Sequence, residues 1–362
     1  MPSPYFSNFE FKQDTDYFLY IGEIKNYGLN QFLARSLSRI FNRNFECIAI
    51  VPDVFEQYNY DNIVVIVPDA DPECRYEAQP LCCRVPATEF MTAVSSDAYV
   101  LSLVDQILKQ QDSLFVYLFE SIQQMTLDRI PGVSILGPDK GLARKLNSKA
   151  IQLPALSNIL PVVDFEICRG YDAMIQATDR LRETWINGIF VTKAYSAAGV
   201  NSIVASCKTD IQNKFLSQDD TYVVTRFMPH THDPTVLGVV AGPAEVYIAG
   251  VADQRIEGGN RFTGSTYPSV LDAKTVETLK YHTRNVGRWM GAAGYRGIFG
   301  CDYIVTEQGL IYFLEINARK QGTTLEFCCT LDQILPPGSP DLTELEYYAV
   351  VHGNFPPHTV EP

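Results

Sequence analysis

Near Gly188 the sequence changes texture, and the change limits the architectures open to it. Before that point apolar runs alternate with amphipathic stretches. Tyr17–Ile21 (YFLYI) has the length of a strand, Gly22 reads as its turn, and Asn30–Phe41 (NQFLARSLSRIF) carries apolar residues at helical spacing. Cys47–Val51, Ile63–Val67 and Leu114–Leu118 read as further strands, and Ser96–Lys109 as a helix with Ser96 at its N-cap. Strands separated by helical patterns imply a parallel α/β sheet with crossover helices. After Gly188, Ile189–Tyr195, Ser202–Ser206, Tyr222–Met228, Val236–Val240 and Glu245–Val251 follow in quick succession, which favours antiparallel pairing of the α+β kind. A long helix over Ala273–Ala293 precedes two strands, Ile298–Val305 and Leu310–Ile316, and the tail reads as loop around one short helix near Thr343–Val351.

At 362 residues, 46% of them hydrophobic, the chain is long enough for two or three packed units. The net charge of −13 excludes a general nucleic-acid surface, because such binding rests on Lys and Arg neutralising phosphates, but leaves room for a local basic pocket around a small polyphosphate. The N-terminus lacks a basic segment followed by an uninterrupted apolar core, so no signal peptide is expected. No apolar run reaches the ~20 residues that span a bilayer, so no membrane partner is expected either. The nine cysteines include the adjacent pairs Cys82-Cys83 and Cys328-Cys329, poor spacing for a disulfide framework or a zinc site. Reduced, mostly buried thiols in a cytoplasmic protein are the expectation.

The first third has the pattern of a Rossmann-type domain, yet GEIKNYG after the first strand lacks the G-x-G-x-x-G that lets backbone approach a pyrophosphate. Gly22 is therefore expected to serve packing or the shape of a substrate site. PGVSILGP at 131–138 reads as a short strand, followed by a basic helix, DKGLARKLNSKA, opened by Asp139.

The chemistry concentrates in YFLEINAR, Tyr312–Arg319. Strand side chains alternate, so Glu315, Asn317 and Arg319 share one face while Leu314 and Ile316 take the other. A tight connection at Glu307-Gln308-Gly309 brings Asp302, on the preceding strand, opposite Glu315. Three oxygen-bearing side chains then converge, a donor set suited to Mg²⁺, while the neighbouring Cys301 points away.

The stretch YRGIFGCDYIVTEQGLIYFLEINAR resembles the metal-binding hairpin of the ATP-grasp superfamily: an acid, then Glu-x-Asn-x-Arg about a dozen residues on. The resemblance implies a two-subdomain ATP-grasp fold behind an N-terminal Rossmann-like domain, with limits at 1–137, 138–226 and 227–362. It implies ATP and Mg²⁺, with Mn²⁺ as a substitute, the metal being held by Asp302, Glu315 and Asn317. Lys140, after Asp139, and Lys193, at a strand end, become the phosphate-binding lysines. Ser196 and Gly199 belong to a phosphate loop with fewer glycines than the superfamily usually carries. Thr225, Arg226, Phe227 and Met228 form the hinge beside adenine, although many relatives have Glu where Thr225 stands. Arg319 would meet the transferred phosphoryl group. The D-alanine ligase branch has an Arg where this chain has Gly300, which makes Arg296, the nearest upstream Arg, the candidate to steady the tetrahedral intermediate.

The activity implied is carboxylate–amine ligation through an acyl phosphate on amino-acid-like small molecules. A carboxylase or kinase subunit, or an ATP-binding module without turnover, are the alternatives. His230 and His232 are read as loop residues beyond the hinge, Asp253–Gly264 as either a polar loop over the substrate or a solvated hairpin connection, and a homodimer as the assembly.

Overall fold

The computed structural model describes residues 10–52, 62–68, 85–196, 201–205, 208–257 and 261–362. Gly199 and the Cys82-Cys83 pair lie outside the described residues. The chain divides into two compact units. The first runs to Ala143 and includes Tyr295–Ile298 and Cys328–Val360; the second holds Arg144–Gly294, Phe299–Phe327 and the last two residues.

The first unit contains β1 (Thr15–Ile21), α1 (Leu29–Phe41), β2 (Asn44–Val51), β3 (Ile63–Val65), α2 (Ala87–Ser96), α3 (Ala98–Leu108), β4 (Leu114–Leu118) and β5 (Val133–Leu136). They form the expected parallel sheet, in the order β3-β2-β1-β4-β5. β1 is buried along its whole length, as a central parallel strand with both faces covered must be. The α3 N-cap is Asp97 and not Ser96: its carboxylate accepts from Tyr99 N and Val100 N, while Ser96 closes α2 with its hydroxyl on Thr92 O. An anionic acceptor reaching two first-turn N–H groups outcompetes a hydroxyl that the preceding helix already uses. Gly22 serves packing, since a Cβ there would meet the Tyr20 hydroxyl at 2.8 Å.

DKGLARKLNSKA is not one helix. α4 (Lys140–Leu146) stops, Ser148 takes an extended backbone, and α5 (Lys149–Leu156) starts again. The break frees the Asn147 side chain, whose Oδ1 accepts the Ala318 N–H at 2.7 Å.

In the second unit, β6 (Phe165–Arg169), β7 (Ile189–Lys193), β8 (Ser202–Ala205) and β9 (Thr221–Arg226) make an antiparallel sheet in the order β6-β9-β7-β8. α6 (Tyr171–Leu181) covers it with Met174, Ile175 and Ala177, and the short α7 (Lys208–Gln212) adds Ile211. β10 (Pro234–Val240), β11 (Val246–Glu257), β12 (Arg261–Thr266), β13 (Gly297–Val305) and β14 (Ile311–Asn317) form the other sheet, in the order β12-β11-β10-β13-β14, with α8 (Ala273–Ala292) packed on β10 and β11. Asp253–Gly264, read as a polar loop or a hairpin connection, is largely the β11–β12 hairpin, with residues 258–260 outside the described set. The short tail helix is α10 (Leu342–His352), and α9 (Thr324–Ile334) precedes it. Both α9 and the β6–α6 pair fall where the apolar spacing carried no reading.

The β13–β14 register shifts between Asp302 and Tyr303, so Leu314 is an extra residue on β14. The shift corrects the expected face pattern. Phe313 and Ile316 are buried three apart, with Leu314 partly exposed, because a bulge adds one residue to the two-residue repeat.

α5 is fastened to β14 by Gln152, which is fully buried. Its amide nitrogen donates to Leu146 O and Ile316 O, and its oxygen accepts from Ile316 N at 2.8 Å. Gln152→Met keeps the volume but orphans three backbone groups at about 1–3 kcal/mol each, so chemical denaturation should show a loss above ~2 kcal/mol. A loss within experimental error would show that the clamp contributes nothing.

Candidate functional site

On the hairpin, Asp302 stands opposite Glu315 and Gly300 opposite Asn317; the turn register alone would put Leu314 opposite Asp302, and the bulge moves Glu315 into place. Asn317 Nδ2 donates to Asp302 Oδ2 at 2.9 Å; Asp302 Oδ1 accepts from Gln254 at 2.8 Å and from Gln321 at 3.1 Å. Burial, then the neighbouring Glu315 charge, push the Asp302 carboxyl up to about 6. Arg319 lies over the same edge, its guanidinium donating to Asn317 Oδ1 and Lys320 O at 3.0 Å each. Cys301 faces the core, where burial pushes its thiol well up.

The lysine that the structure brings to this hairpin is Lys149, which the sequence reading passed over. Its ammonium pairs with Glu315 and donates to Ser196 O and Ser196 Oγ at 3.1 Å, while its backbone N–H holds Ala194 O at 2.9 Å. Ser196 Oγ is also 2.8 Å from Thr192 Oγ1. One side chain thus links the loop after β7 to the carboxylate of β14. Lys140 is not part of this cluster: it belongs to the first unit, where Asp128 takes its ammonium at 2.7 Å together with Met125 O. Both lysines follow a polar residue at a helix start, so the local signal was the same. What separates them is the helix break at Asn147-Ser148 and the Gln152 clamp, which direct α5 at β14.

Lys193 ends β7, as expected, with its ammonium on Asp220 at 2.7 Å. That contact holds the Asp220 carboxyl below its usual range. Arg296 stands just before β13 and is assigned to the first unit, where a Cβ on Gly353 would meet its guanidinium at 2.8 Å.

The expected hinge runs off the end of β9. Thr225 is buried, Arg226 N donates to Asp164 O and its guanidinium pairs with Asp164 at 3.4 Å, and Phe227 N donates to Gly188 O at 3.1 Å. The Met228 N–H makes no backbone hydrogen bond among the described residues, and the Met228 carbonyl accepts from the His230 ring at 2.7 Å. His230 also meets Asp233 at 2.9 Å, which raises its pKa, and His232 bridges to Val305 through backbone.

Among the described residues no group of three His, Cys, Asp or Glu side chains is arranged for a metal ion. The hairpin offers two carboxylates and one amide instead, an all-oxygen set that fits a hard cation keeping several waters. Two acids brought together with one lysine as counter-charge leave negative charge for a cation to neutralise.

A family model described as an ATP-grasp domain matches residues 142–323, half of the chain. The chain belongs to the ATP-grasp family. The hairpin and the Lys149 cluster both fall inside the matched ATP-grasp segment. Among curated relatives, a [butirosin acyl-carrier protein]–L-glutamate ligase of Niallia circulans is 22% identical over 214 residues, 57% of this chain and 50% of that protein. An L-propargylglycine–L-glutamate ligase of Streptantibioticus cattleyicolor is 29% identical over 101 residues, 28% of this chain and 20% of that protein. The ATP-grasp chain therefore spans half or less of the curated relatives it matches. The fold is similar to a carboxyaminoimidazole ribonucleotide synthase of Aspergillus clavatus solved with ATP, with a TM-score of 0.59 at 13% identity over 94% of this chain and 79% of that one. It is also similar to a biotin carboxylase of Campylobacter jejuni, with a TM-score of 0.63 at 14% identity over 93% and 70%.

Replacing Asp302 tests the electrostatics of the hairpin. Below pH 3.8 the carboxyl is protonated folded and unfolded and contributes nothing; between 3.8 and about 6 the folded state keeps a proton that the unfolded state releases, so stability falls as pH rises, and the penalty is complete above about 6. Asp302→Asn should gain on wild type in melting temperature between pH 4 and pH 8 in metal-free buffer. A constant difference across that range would contradict the raised pKa.

Proposed function

We propose that the chain is an ATP-dependent carboxylate–amine ligase, releasing ADP and forming a C–N bond on amino-acid-like small molecules through an acyl phosphate. The observation that carries the proposal is the Lys149–Glu315 pair within reach of Asp302, Asn317 and the Ser196 loop: an oxygen-donor cluster and a phosphate-sized cation on one edge. The relatives named as L-glutamate ligases support the amino-acid character of the substrates.

In this reading Asp302, Glu315 and Asn317 hold Mg²⁺, for which Mn²⁺ can substitute, and the ion when bound neutralises charge on the phosphate oxygens. Lys149 leaves Glu315 and, with Lys193, takes the phosphates, while the loop opened by Ser196 covers them. The Met228 N–H is the hinge donor for adenine. A substrate carboxylate oxygen bonds to the γ-phosphorus as the bond to ADP breaks. The amine nitrogen then attacks the acyl carbon, inorganic phosphate departs, and the amine proton passes to phosphate or solvent. Arg319 offers planar paired donors to the acyl phosphate. These steps need positioning and charge stabilisation more than a side-chain nucleophile. Limits at residues 137 and 226 for the three ATP-grasp parts belong to the same proposal. So does a cytoplasmic setting. Among the described residues no helix is long and apolar enough to cross a membrane.

Supplying purified protein with Mg²⁺, ATP and pairs of amino acids should release ADP only when both carboxylate and amine are present. ATP binding without turnover for every pair, bicarbonate mixtures included, overturns the ligase reading. Glu315→Gln should lower kcat by about 100-fold or more with an unchanged far-UV spectrum. Lys149→Met should raise the KM for ATP, and an unaltered KM would return the phosphate role to another lysine.

A further inference from the structure

Gln321 follows the hairpin and is 7% exposed, and it is not among the residues assigned a part in the proposed reaction. Its backbone is fixed at the start of α9, where its N–H donates to Thr324 Oγ1 at 2.9 Å and its carbonyl accepts from Thr324 N at 3.0 Å. Its side chain runs back to the metal-site acid. The amide oxygen accepts from the fully buried Thr235 hydroxyl at 3.1 Å, and the amide nitrogen donates to Asp302 Oδ1 at 3.1 Å. A carboxylate accepts only, so the amide nitrogen is the end that faces Asp302, and the amide oxygen is left toward the Thr235 hydroxyl. The amide sits where a side chain at residue 300 would be: a Cβ built on Gly300 falls on it. Gly300 and Gln321 are therefore a matched pair, and a larger residue at 300 is incompatible with the amide as it lies.

Resting on the metal role proposed for Asp302, we infer that Gln321 is a positioning residue that orients this ligand and fixes how it binds the cation. A carboxylate offers about four lone-pair sites. Gln254 and Gln321 both donate to Oδ1 and Asn317 donates to Oδ2, with the Thr235 hydroxyl also bonded to the carboxyl, so both oxygens are held by the protein. The carboxylate is thus held in one rotamer by its neighbours, and these would set how it meets a cation. Partners of this kind behind a metal ligand typically change metal affinity by about 10–100-fold when removed.

The test is a mutant cycle read by Mn²⁺ electron paramagnetic resonance in the presence of ATP, alongside the Mg²⁺ activation constant. Gln321→Ala should raise both dissociation constants at least tenfold while the KM for ATP at saturating Mg²⁺ stays put. Gly300→Ala should do the same in the wild-type background by displacing the amide, but nothing further in Gln321→Ala, where the space is vacant. Thr235→Val should give a smaller change in the same direction, and guards against a folding defect in the other variants. Wild-type Mn²⁺ affinity in Gln321→Ala, or additive effects of the two substitutions, overturns the inference while leaving the metal site intact. Wild-type protein that binds no Mn²⁺ with ATP removes the metal reading and this inference with it.

Discussion

Two carboxylates facing each other across a two-stranded ladder repel, and the second unit is organised around that repulsion. Asp302 and Glu315 are brought together by the register of β13 and β14, and burial first, then the Glu315 charge, raise the Asp302 pKa. A cation must answer them. In this structure the answer is Lys149, delivered by a helix that begins beside the loop after β7 and is clamped to β14 through Gln152. The break between α4 and α5, the buried Gln152 and the Asn147–Ala318 bond all serve to set that ammonium against the hairpin.

The parallel sheet was legible in the sequence because its strands are uninterrupted apolar runs, and the hairpin because Glu315 and Asn317 are polar in an apolar run with an acid thirteen residues upstream. β12 was not, since RFTGST has no apolar alternation and its pairing comes entirely from β11. α6 and β6 escaped for a related reason: β6 buries only Cys168, with two positions exposed and two half-buried, and the sheet supplies the order that the local residues do not.

Lys140 and Lys149 show where local reading stops. Each opens a helix behind a polar residue, yet Asp128 captures one and Glu315 the other. The choice is made by groups far away in sequence, which no spacing rule reports. Gln321 was invisible in the same way, because its meaning depends on the absence of a side chain at Gly300, twenty-one residues earlier.

The bulge at Leu314 divides the hairpin into two ladders with different offsets. Above it, Gly300, Cys301 and Asp302 keep one register with Asn317, Ile316 and Glu315; below it, the pairs run on to the turn at Glu307-Gln308-Gly309 on another. A residue gained or lost in the turn can be absorbed at that dislocation without sliding the acids past each other. The placement of Glu315 against Asp302 therefore depends on the extra residue at Leu314 as much as on the turn itself.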